Sequence, residues 1–216
     1  MRPVICMVTN RVRGDQAETD LVHRVAAAAR AGVHLIQVRD PGLEGGPLAR
    51  LVTRCVEAVR STPARIVVNE RLDVALAACA HGVHLRADSM PGSRVRSTVP
   101  PGFLIGRSVH TADEVERADS GGALDYLIFG TVFPTATKPG TTVSGPGLLA
   151  DAVRSTRLPI LAIGGVSIET IGHVARSGAA GFAAISLFAH NSPDRLQVIV
   201  TQAALAFDTL AGRSLT

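Results

Sequence analysis

The segment PILAIGGVSIETIGHVARSGAAGFAAIS, residues 159–186, contains one complete strand–helix–strand unit. A short apolar run at Pro159–Ile163 ends in two glycines, a helical pattern covers Ile168–Ser177, and a second apolar run covers Gly181–Ile185. Two strands that are joined through a helix lie parallel in one sheet, because the helix carries the chain back to the same edge. The segment therefore predicts a parallel sheet that is covered by helices.

The same unit repeats along the chain about every 25 residues. Six more strands are predicted at Val4–Thr9, Val33–Val38, Arg65–Asn69, Gly82–Leu85, Phe103–Gly106 and Leu124–Phe129. Eight helices are predicted at Glu18–Ala31, Pro47–Arg60, Arg71–Ala80, Met90–Thr98, Ala112–Ser120, Pro146–Thr156, Ile168–Ser177 and Asp194–Leu210. An α/β fold with this regularity favours a closed (β/α)8 TIM barrel over an open doubly wound sheet. No low-complexity linker interrupts the pattern, so residues 1–216 are expected to form a single domain.

Composition narrows the class of partner. Apolar residues make up 46% of the chain and charged residues 19%, which is typical of a compact globular domain. Aromatic residues make up only 3%, and the basic residues behind the net charge of +4 are scattered. We therefore expect small anionic substrates and no nucleic acid. No apolar stretch is long enough for a membrane helix, and three cysteines without metal spacing predict reduced thiols in a cytoplasmic protein.

Polar residues follow most of the strands, at the end of a barrel where active sites are built. The candidates are Gln37 and Arg39 after strand 2, Asn69 and Glu70 after strand 3, Ser108 and His110 after strand 5, Thr131, Thr135, Thr137 and Lys138 after strand 6, Gly164 and Gly165 after strand 7, and Ile185 and Ser186 after strand 8. Gln37 and Arg39 share parity, so both side chains are expected in the barrel mouth. A structural ion pair between Arg39 and Glu70 is the alternative.

The loops after the last strands predict a phosphate site. Gly164 and Gly165 let the backbone approach a ligand closely, and the loops after strands 7 and 8 bind phosphate in many barrels. Thr135, Thr137 and Lys138 add two hydroxyls and an ammonium group in a long loop of the kind that often covers a site. The alternatives without a function are a tight turn that needs the two glycines, and a solvated surface loop around the two threonines and the lysine.

Two histidines, His84 and His110, lie at this end of the predicted barrel. Either could be a structural hydrogen-bonding residue or a base that acts on a substrate proton. No spacing of His, Cys and carboxylate residues predicts zinc.

A set of motifs in unbroken order resembles one family. These motifs are Gln37-Val-Arg39, Val68-Asn-Glu-Arg-Leu-Asp-Val-Ala75, Gly82-Val-His-Leu85, Ile105-Gly-Arg-Ser-Val-His110, Asp125-Tyr126, Phe129-Gly-Thr-Val-Phe-Pro-Thr135-Ala-Thr137-Lys138 and Ala162-Ile-Gly-Gly165. Over residues 4–188 the chain is similar to thiamine-phosphate synthase and to its relative, thiazole tautomerase. The resemblance implies a barrel enzyme of thiamine biosynthesis that binds a hydroxyethylthiazole phosphate.

The resemblance also implies residue roles. The synthase joins the thiazole phosphate to a pyrimidine diphosphate and releases diphosphate with the help of Mg2+. Matching positions imply that Thr135, Thr137, Gly165, Ile185 and Ser186 hold the thiazole phosphate. By the same matching, Arg39, Asn69, Ser108 and Lys138 hold the diphosphate.

Departures from the family pattern concentrate on the diphosphate side. Pro41 stands where the synthase has a Lys, and Glu70 stands where it has a metal-binding Asp. Ser89 stands at the second metal Asp, with Asp88 one place before it. On the tautomerase side, Thr131 stands where that enzyme has its proton-transferring His.

Three hypotheses follow. The first is a metal-independent thiazole tautomerase, an isomerase in which His110, Glu70 and Thr131 are the catalytic candidates and Arg39 and Asn69 orient the substrate. The second is a thiamine-phosphate synthase, a transferase that uses Mg2+ held by Glu70 and Asp88. The third is a barrel that binds thiazole or thiamine phosphates without catalysis. In each case the partner is a phosphorylated thiazole, and a homodimer is possible.

Overall fold

Eight parallel strands close into one barrel, which confirms the predicted (β/α)8 fold. The strands are β1 (Val4–Val8), β2 (Leu35–Val38), β3 (Arg65–Asn69), β4 (Gly82–Leu85), β5 (Leu104–Val109), β6 (Tyr126–Phe129), β7 (Ile160–Ala162) and β8 (Gly181–Ala184). Each strand pairs with the next one along the chain, and β8 pairs with β1. This computed structural model describes residues 3–11, 14–135, 140 and 142–210.

Helices follow the strands around the outside of the barrel. They are α1 (Asp15–Arg30), α2 (Gly45–Val59), α3 (Leu72–Ala77), α4 (Gly92–Arg96), α5 (Ala112–Ser120), α6 (Gly145–Arg154), α7 (Ile171–Arg176), α8 (Ser186–Ala189) and α9 (Leu196–Leu210). The helix predicted at Asp194–Leu210 is present as α9, after a 3-10 turn at Pro193–Arg195. A short helix that was not predicted, α8, precedes it and begins directly at Ser186. The two are separated at Ser192, whose extended backbone (ψ 153°) is the conformation favoured before a proline.

The apolar residues form two cores. The larger core lies between the strands and the helices. The smaller one fills the barrel interior and consists of Cys6, Val8, Leu35, Val67, Tyr126, Ile128, Leu161 and Ala183. Because alternate residues of a strand face opposite sides, the residues two places further along the same strands face inward above this core. The inner core therefore forms a floor under the carboxyl end of the barrel.

All three cysteines are free, in agreement with the expectation of reduced thiols. Cys6 and Cys55 are buried in the two cores, and burial raises the pKa of each thiol to about 12. Cys79 is exposed. In the described part of the chain, no helix combines the length and the apolar character that crossing a membrane requires.

Candidate active site at the carboxyl end of the barrel

A cavity of about 320 Å3 opens at the carboxyl ends of the strands. Most of the predicted site residues that the structure describes line it, which brings together loops far apart in the sequence. They are Gln37, Arg39, Asn69, Ser108, His110, Thr131, Thr135, Gly164, Gly165, Ile185 and Ser186. Thr137 and Lys138 lie outside the described residues. Glu70 and Asp88 are not among the residues that line the cavity.

Gln37 and Asn69 form the polar wall on the side of β2 and β3. The Gln37 amide nitrogen donates to the Asn69 side-chain oxygen at 2.8 Å, and Gln37 is only 4% exposed. This bond fixes the orientation of both amides, so the Asn69 amide group is left to donate toward the cavity.

Arg39 continues the same wall and is held by its backbone. Its N–H donates to the Thr9 hydroxyl at 2.9 Å. The Arg39 side chain lines the cavity and forms no ion pair within the described residues, so the structural ion pair with Glu70 is absent there. An exposed guanidinium at a cavity mouth is suited to bidentate contact with a phosphate or carboxylate.

The glycine pair after β7 lies against the loop after β6. Gly164 and Gly165 have positive φ angles of 98° and 62°. A Cβ atom on Gly165 would lie 2.7 Å from the Cβ of Phe133, so a side chain does not fit there. In the described part of the chain, neither glycine N–H donates to a backbone carbonyl. Two consecutive amides in this conformation are typical of an anion-binding backbone.

The loop after β8 supplies the opposite side of this anion site. Ile185 and Ser186 line the cavity, and Ser186 is the first residue of α8. The first amides of a helix have no acceptor within the helix, and a short helix in this loop is a recurrent part of barrel phosphate sites. The residues of the predicted phosphate site thus lie together in one cavity, while phosphate binding itself stays a prediction.

Ser108 lies on β5 itself and not after it. β5 continues to Val109, three residues beyond the predicted end at Gly106. Ser108 Oγ is 2.9 Å from His84 Nε2, and His84 Nδ1 is 3.2 Å from the Tyr126 hydroxyl. His84 is 1% exposed and both of its ring nitrogens have partners, which is the arrangement that the structural alternative predicts for this histidine.

His110 is anchored at the rim. Its Nδ1 bonds to the Gly130 carbonyl, and because a carbonyl only accepts, Nδ1 carries the proton. The backbone N–H of His110 donates to the Glu114 carboxylate at 2.7 Å, at the start of α5. Thr131 lines the cavity beside it and offers a neutral hydroxyl, which is a poor general base.

Glu70 and Ser89, the two positions at which the resemblance implies metal-binding Asp residues, contact each other. The Ser89 hydroxyl donates to Glu70 Oε1 at 2.5 Å, and the Arg86 N–H donates to the same oxygen at 2.6 Å. Asp88 forms an ion pair with the Arg86 guanidinium at 2.7 Å. Within the described residues, no three His, Cys, Asp or Glu side chains are arranged to hold a metal ion.

Mg2+ is commonly held in proteins by one or two carboxylates together with substrate phosphates. Glu70 supplies one carboxylate, which lies against Ser89 outside the residues that line the cavity, while the Asp88 carboxylate is engaged by a cation. The residues therefore fit an ion that binds together with phosphate oxygens, with Glu70 as the main protein ligand.

Sequence reasoning missed the residues that follow β1. Thr9, Asn10 and Arg11 line the cavity, and Arg11 lies 3.8 Å from the buried carboxylate of Asp40. The available signal was the rule already applied to the other strands, since a polar run directly follows the first apolar one. Thr9 matters because it fixes the backbone of Arg39.

Comparison with known proteins identifies the family of the chain. A family model described as thiamine monophosphate synthase matches residues 5–188. A thiamine-phosphate synthase of Chlorobium luteolum is 38% identical over 85% of this chain and 84% of its own length. One from Methanospirillum hungatei is 42% identical over 72% of this chain and 75% of its own. The solved thiamine phosphate pyrophosphorylase of Pyrococcus furiosus has a TM-score of 0.80 and 27% identity, covering 95% of this chain and 96% of that one.

These relatives correct the first hypothesis, a metal-independent thiazole tautomerase. They are named as synthases, which are transferases, so the isomerase expectation is wrong. That expectation gave most weight to departures at single positions such as Pro41 and Ser89, whereas the identity extends over most of the barrel. The proton-transfer roles of His110, Glu70 and Thr131 belong to that isomerisation, and no comparison tests them.

Proposed function

Because the chain belongs to the thiamine-phosphate synthase family, we propose that it is a transferase that joins hydroxyethylthiazole phosphate to hydroxymethylpyrimidine diphosphate. A C–N bond forms between the thiazole nitrogen and the pyrimidine methylene carbon, and the C–O bond to diphosphate breaks. Diphosphate leaves with the electron pair. One observation carries the proposal: residues that match the family at both ends of this reaction line a single cavity.

The thiazole phosphate would bind at the loops after β6, β7 and β8. The amides of Gly164 and Gly165 and the start of α8 at Ser186 supply donors from the backbone. The Thr135 hydroxyl and the Ile185 backbone lie in the same wall. Donors fixed by the backbone hold a phosphate without the entropy cost of ordering long side chains. Thr137 and Lys138 stay predictions for this subsite.

The pyrimidine diphosphate would bind across the cavity, on the side of β2, β3 and β5. Arg39 provides a guanidinium, Asn69 an amide and Ser108 a hydroxyl. Gln37 holds the Asn69 amide in place. A separation of the two phosphate sites by the width of the cavity would place the reacting rings between them. His110 and Thr131 would then bound the rings rather than move a proton.

Mg2+ would bind together with the diphosphate, with Glu70 as ligand and Asp88 as a second ligand once it leaves Arg86. When bound, the ion would neutralise the negative charge that develops on the leaving diphosphate. Ser89 holds the Glu70 carboxylate at 2.5 Å, so the carboxylate is oriented before any ion arrives. A homodimer and a cytoplasmic location also stay predictions.

The test is a coupling assay with the purified chain and the two precursors. We expect thiamine phosphate and diphosphate to form with Mg2+ and not after chelation of the metal. Arg39→Ala should lower kcat/KM for the pyrimidine diphosphate by about 100-fold, because a charged bidentate contact is lost. Arg50→Ala on the exposed face of α2 is the matched control and should leave it unchanged. Binding of the thiazole phosphate without any coupling would reject the transferase and leave a non-catalytic binding protein.

A further inference from the structure

Three polar side chains inside the barrel form a chain that ends at the cavity. Tyr126 on β6, His84 on β4 and Ser108 on β5 are linked by contacts of 3.2 Å and 2.9 Å through the two ring nitrogens of His84. Tyr126 and His84 are buried, at 7% and 1% exposure. Ser108 and His84 both line the cavity, but the two ring nitrogens of His84 are already engaged, by Tyr126 and by Ser108. The polar atoms of Tyr126 and His84 therefore act on a ligand through the Ser108 hydroxyl.

A glycine between these strands makes the arrangement possible. Gly106 pairs with both His84 and Tyr126 in the barrel register. A Cβ atom on Gly106 would lie 2.5 Å from Tyr126 Cε1, so the phenol ring fills the space of the missing side chain. The ring stacks on the imidazole with centroids 5.6 Å apart and planes at 30°. Both rings are thereby fixed in orientation.

The charge states of the two rings follow from their surroundings. Burial, together with the positive charge of Arg107, lowers the pKa of His84 to about 3, so the imidazole is neutral and carries one proton. Burial raises the pKa of Tyr126 well above its usual value, so the phenol keeps its proton. The three hydrogen-bonded side chains thus carry three protons: one on Tyr126, one on His84 and one on Ser108.

The direction of donation follows from the need to satisfy the buried phenol. Among the described residues, His84 Nδ1 is the one hydrogen-bond partner of the Tyr126 hydroxyl, and the phenol belongs to the apolar inner core. If Nδ1 carried the proton, the Tyr126 O–H would have no acceptor, and a buried donor without an acceptor is destabilising. Tyr126 therefore donates to Nδ1, and the imidazole proton lies on Nε2. Nε2 then donates to Ser108 Oγ.

We propose that Tyr126 and His84 are positioning residues that direct the hydroxyl proton of Ser108 into the cavity. Because Ser108 Oγ already accepts from His84, its own proton is available to a ligand. Ser108 thus acts as a fixed donor and selects an anionic oxygen over a donor group such as an amine. The inference rests on the proposed function where it assigns that oxygen to the diphosphate of the pyrimidine substrate.

The first test measures the His84 tautomer and needs no turnover. In protein with 15N-labelled histidine, two-bond correlation spectra distinguish the Nε2–H from the Nδ1–H form, and the His84 signals are those lost in His84→Asn. We expect the Nε2–H form at neutral pH. In Tyr126→Phe, which keeps the ring and removes the donor, we expect the preference for Nε2–H to be reduced or reversed. An Nδ1–H imidazole in the unmodified protein would overturn the proposal, even if Tyr126→Phe fails to fold.

The second test asks whether Tyr126 acts through Ser108. Tyr126→Phe should weaken binding of Mg2+ and inorganic diphosphate, measured by calorimetry, by about fivefold to tenfold, and Ser108→Ala should weaken it at least as much. In the Ser108→Ala background, Tyr126→Phe should add nothing, since the effects of residues that act as a unit are not additive. Additive losses would overturn the proposal.

A matched control separates positioning from packing. Cys6→Ala removes volume from the same inner core without removing a hydrogen bond of Tyr126, His84 or Ser108, so it should lower stability and leave both the tautomer and diphosphate affinity unchanged. Because the readouts are a tautomer and a binding constant, the absence of coupling activity would reject the proposed function alone. A loss of diphosphate affinity in Cys6→Ala equal to that in Tyr126→Phe would reject the positioning role.

Discussion

At the scale of single residues, the glycines after β7 determine how closely the backbone can approach a ligand. Gly165 combines a positive φ with contact to Phe133, so two separate constraints act on one position. A side chain there would have to move the loop after β6, which carries Thr135 on the same cavity wall. The residue type therefore follows from backbone geometry and not from any contact that a side chain makes.

Gly165→Ala tests this constraint. We expect the thiazole phosphate to bind at least tenfold more weakly, because the loop must shift, and the free energy of unfolding to fall by about 1–2 kcal/mol from the positive φ alone. Titration calorimetry and urea unfolding measure the two effects. Gly147→Ala in α6 is the control, since no atom lies within 4 Å of the added Cβ and φ is not positive. Helix propensity should make that variant equally or slightly more stable. Unchanged phosphate affinity in Gly165→Ala would contradict the role of the glycine.

The buried imidazole of His84 makes a prediction about pH and stability. Its pKa is depressed from 6.5 to about 3 in the folded state, mainly by burial. Between these values the unfolded chain binds a proton at this histidine that the folded chain does not. The contribution of the neutral, buried imidazole to the free energy of unfolding is therefore fully present above pH 6.5 and is lost as pH falls. We expect His84 alone to contribute a slope of up to about 1.4 kcal/mol per pH unit.

Urea unfolding at a series of pH values from 7 to 4.5 measures this slope. His84→Asn removes the titrating group and should flatten the dependence by close to one proton over that range. Its lower stability at pH 7 does not affect the comparison, because the slope and not the intercept is the readout. Equal slopes in the two proteins would show that His84 is protonated as readily in the folded chain as in the unfolded one.

At the scale of elements, Arg107 shapes the loop between β4 and α4. It points away from the barrel interior and is only 8% exposed, and its guanidinium donates to the carbonyls of Arg86, Ala87, Ser89 and Met90. One side chain thus satisfies four backbone acceptors in a loop without regular structure. The same loop holds Ser89 against Glu70, so the position of the proposed metal ligand depends on it.

Arg107→Lys should loosen this loop, because an ammonium group cannot reproduce the planar fork of donors. We expect a loss of about 2 kcal/mol in unfolding free energy and faster amide exchange in residues 86–90, measured by hydrogen-exchange mass spectrometry. Arg94→Lys on the exposed side of α4 is the matched control and should change neither quantity. If the amides of residues 86–90 exchange in Arg107→Lys at the same rate as in the unmodified protein, the loop holds its shape without the guanidinium.

The element boundaries show where sequence patterns carry less information. The β5 prediction stops at Gly106, because glycine and the charged Arg107 break the apolar run, although both residues are in the strand. Gly106 leaves space for the Tyr126 ring on the neighbouring strand, and Arg107 binds the loop between β4 and α4. Neither contact can be predicted from the sequence around residue 106, because both partners are distant in the chain. The N-cap at Thr111 is of the opposite kind: its side chain accepts from the Glu114 N–H, a contact that lies within four residues of the chain.

At the scale of the whole molecule, the repeat of strand and helix was sufficient to predict the barrel and the end that carries the site. Gln37, Asn69 and Ser108 were predicted as a group because the carboxyl ends of parallel strands converge. The role of His84 was not predictable, since it depends on the alignment of three strands and on a ring from β6. The reaction was misassigned for a related reason: single departures such as Pro41 do not show which other residues compensate for them.

Closure of the barrel depends on the seam between the first and the last strand. Gly181 of β8 pairs with Val4 of β1, and a Cβ atom on Gly181 would lie 2.6 Å from the Val4 backbone nitrogen. The obstructing atoms belong to the backbone, which cannot rotate away as a side chain can. A residue larger than glycine at this position must therefore separate the two strands.

Gly181→Ala should destabilise the molecule as a unit. We expect the free energy of unfolding to fall by about 2–3 kcal/mol with a single transition, because overpacking at the seam strains hydrogen bonds on which all eight strands depend. Urea unfolding followed by circular dichroism and by calorimetry measures this, and coincident transitions establish that the barrel still unfolds as one body. Gly46→Ala in α2 is the control, since its nearest neighbour is the flexible end of Arg50 at 3.7 Å, and it should be as stable as the unmodified chain. Two separate transitions in Gly181→Ala would mean that the strands next to the seam can open while the rest of the barrel stays folded.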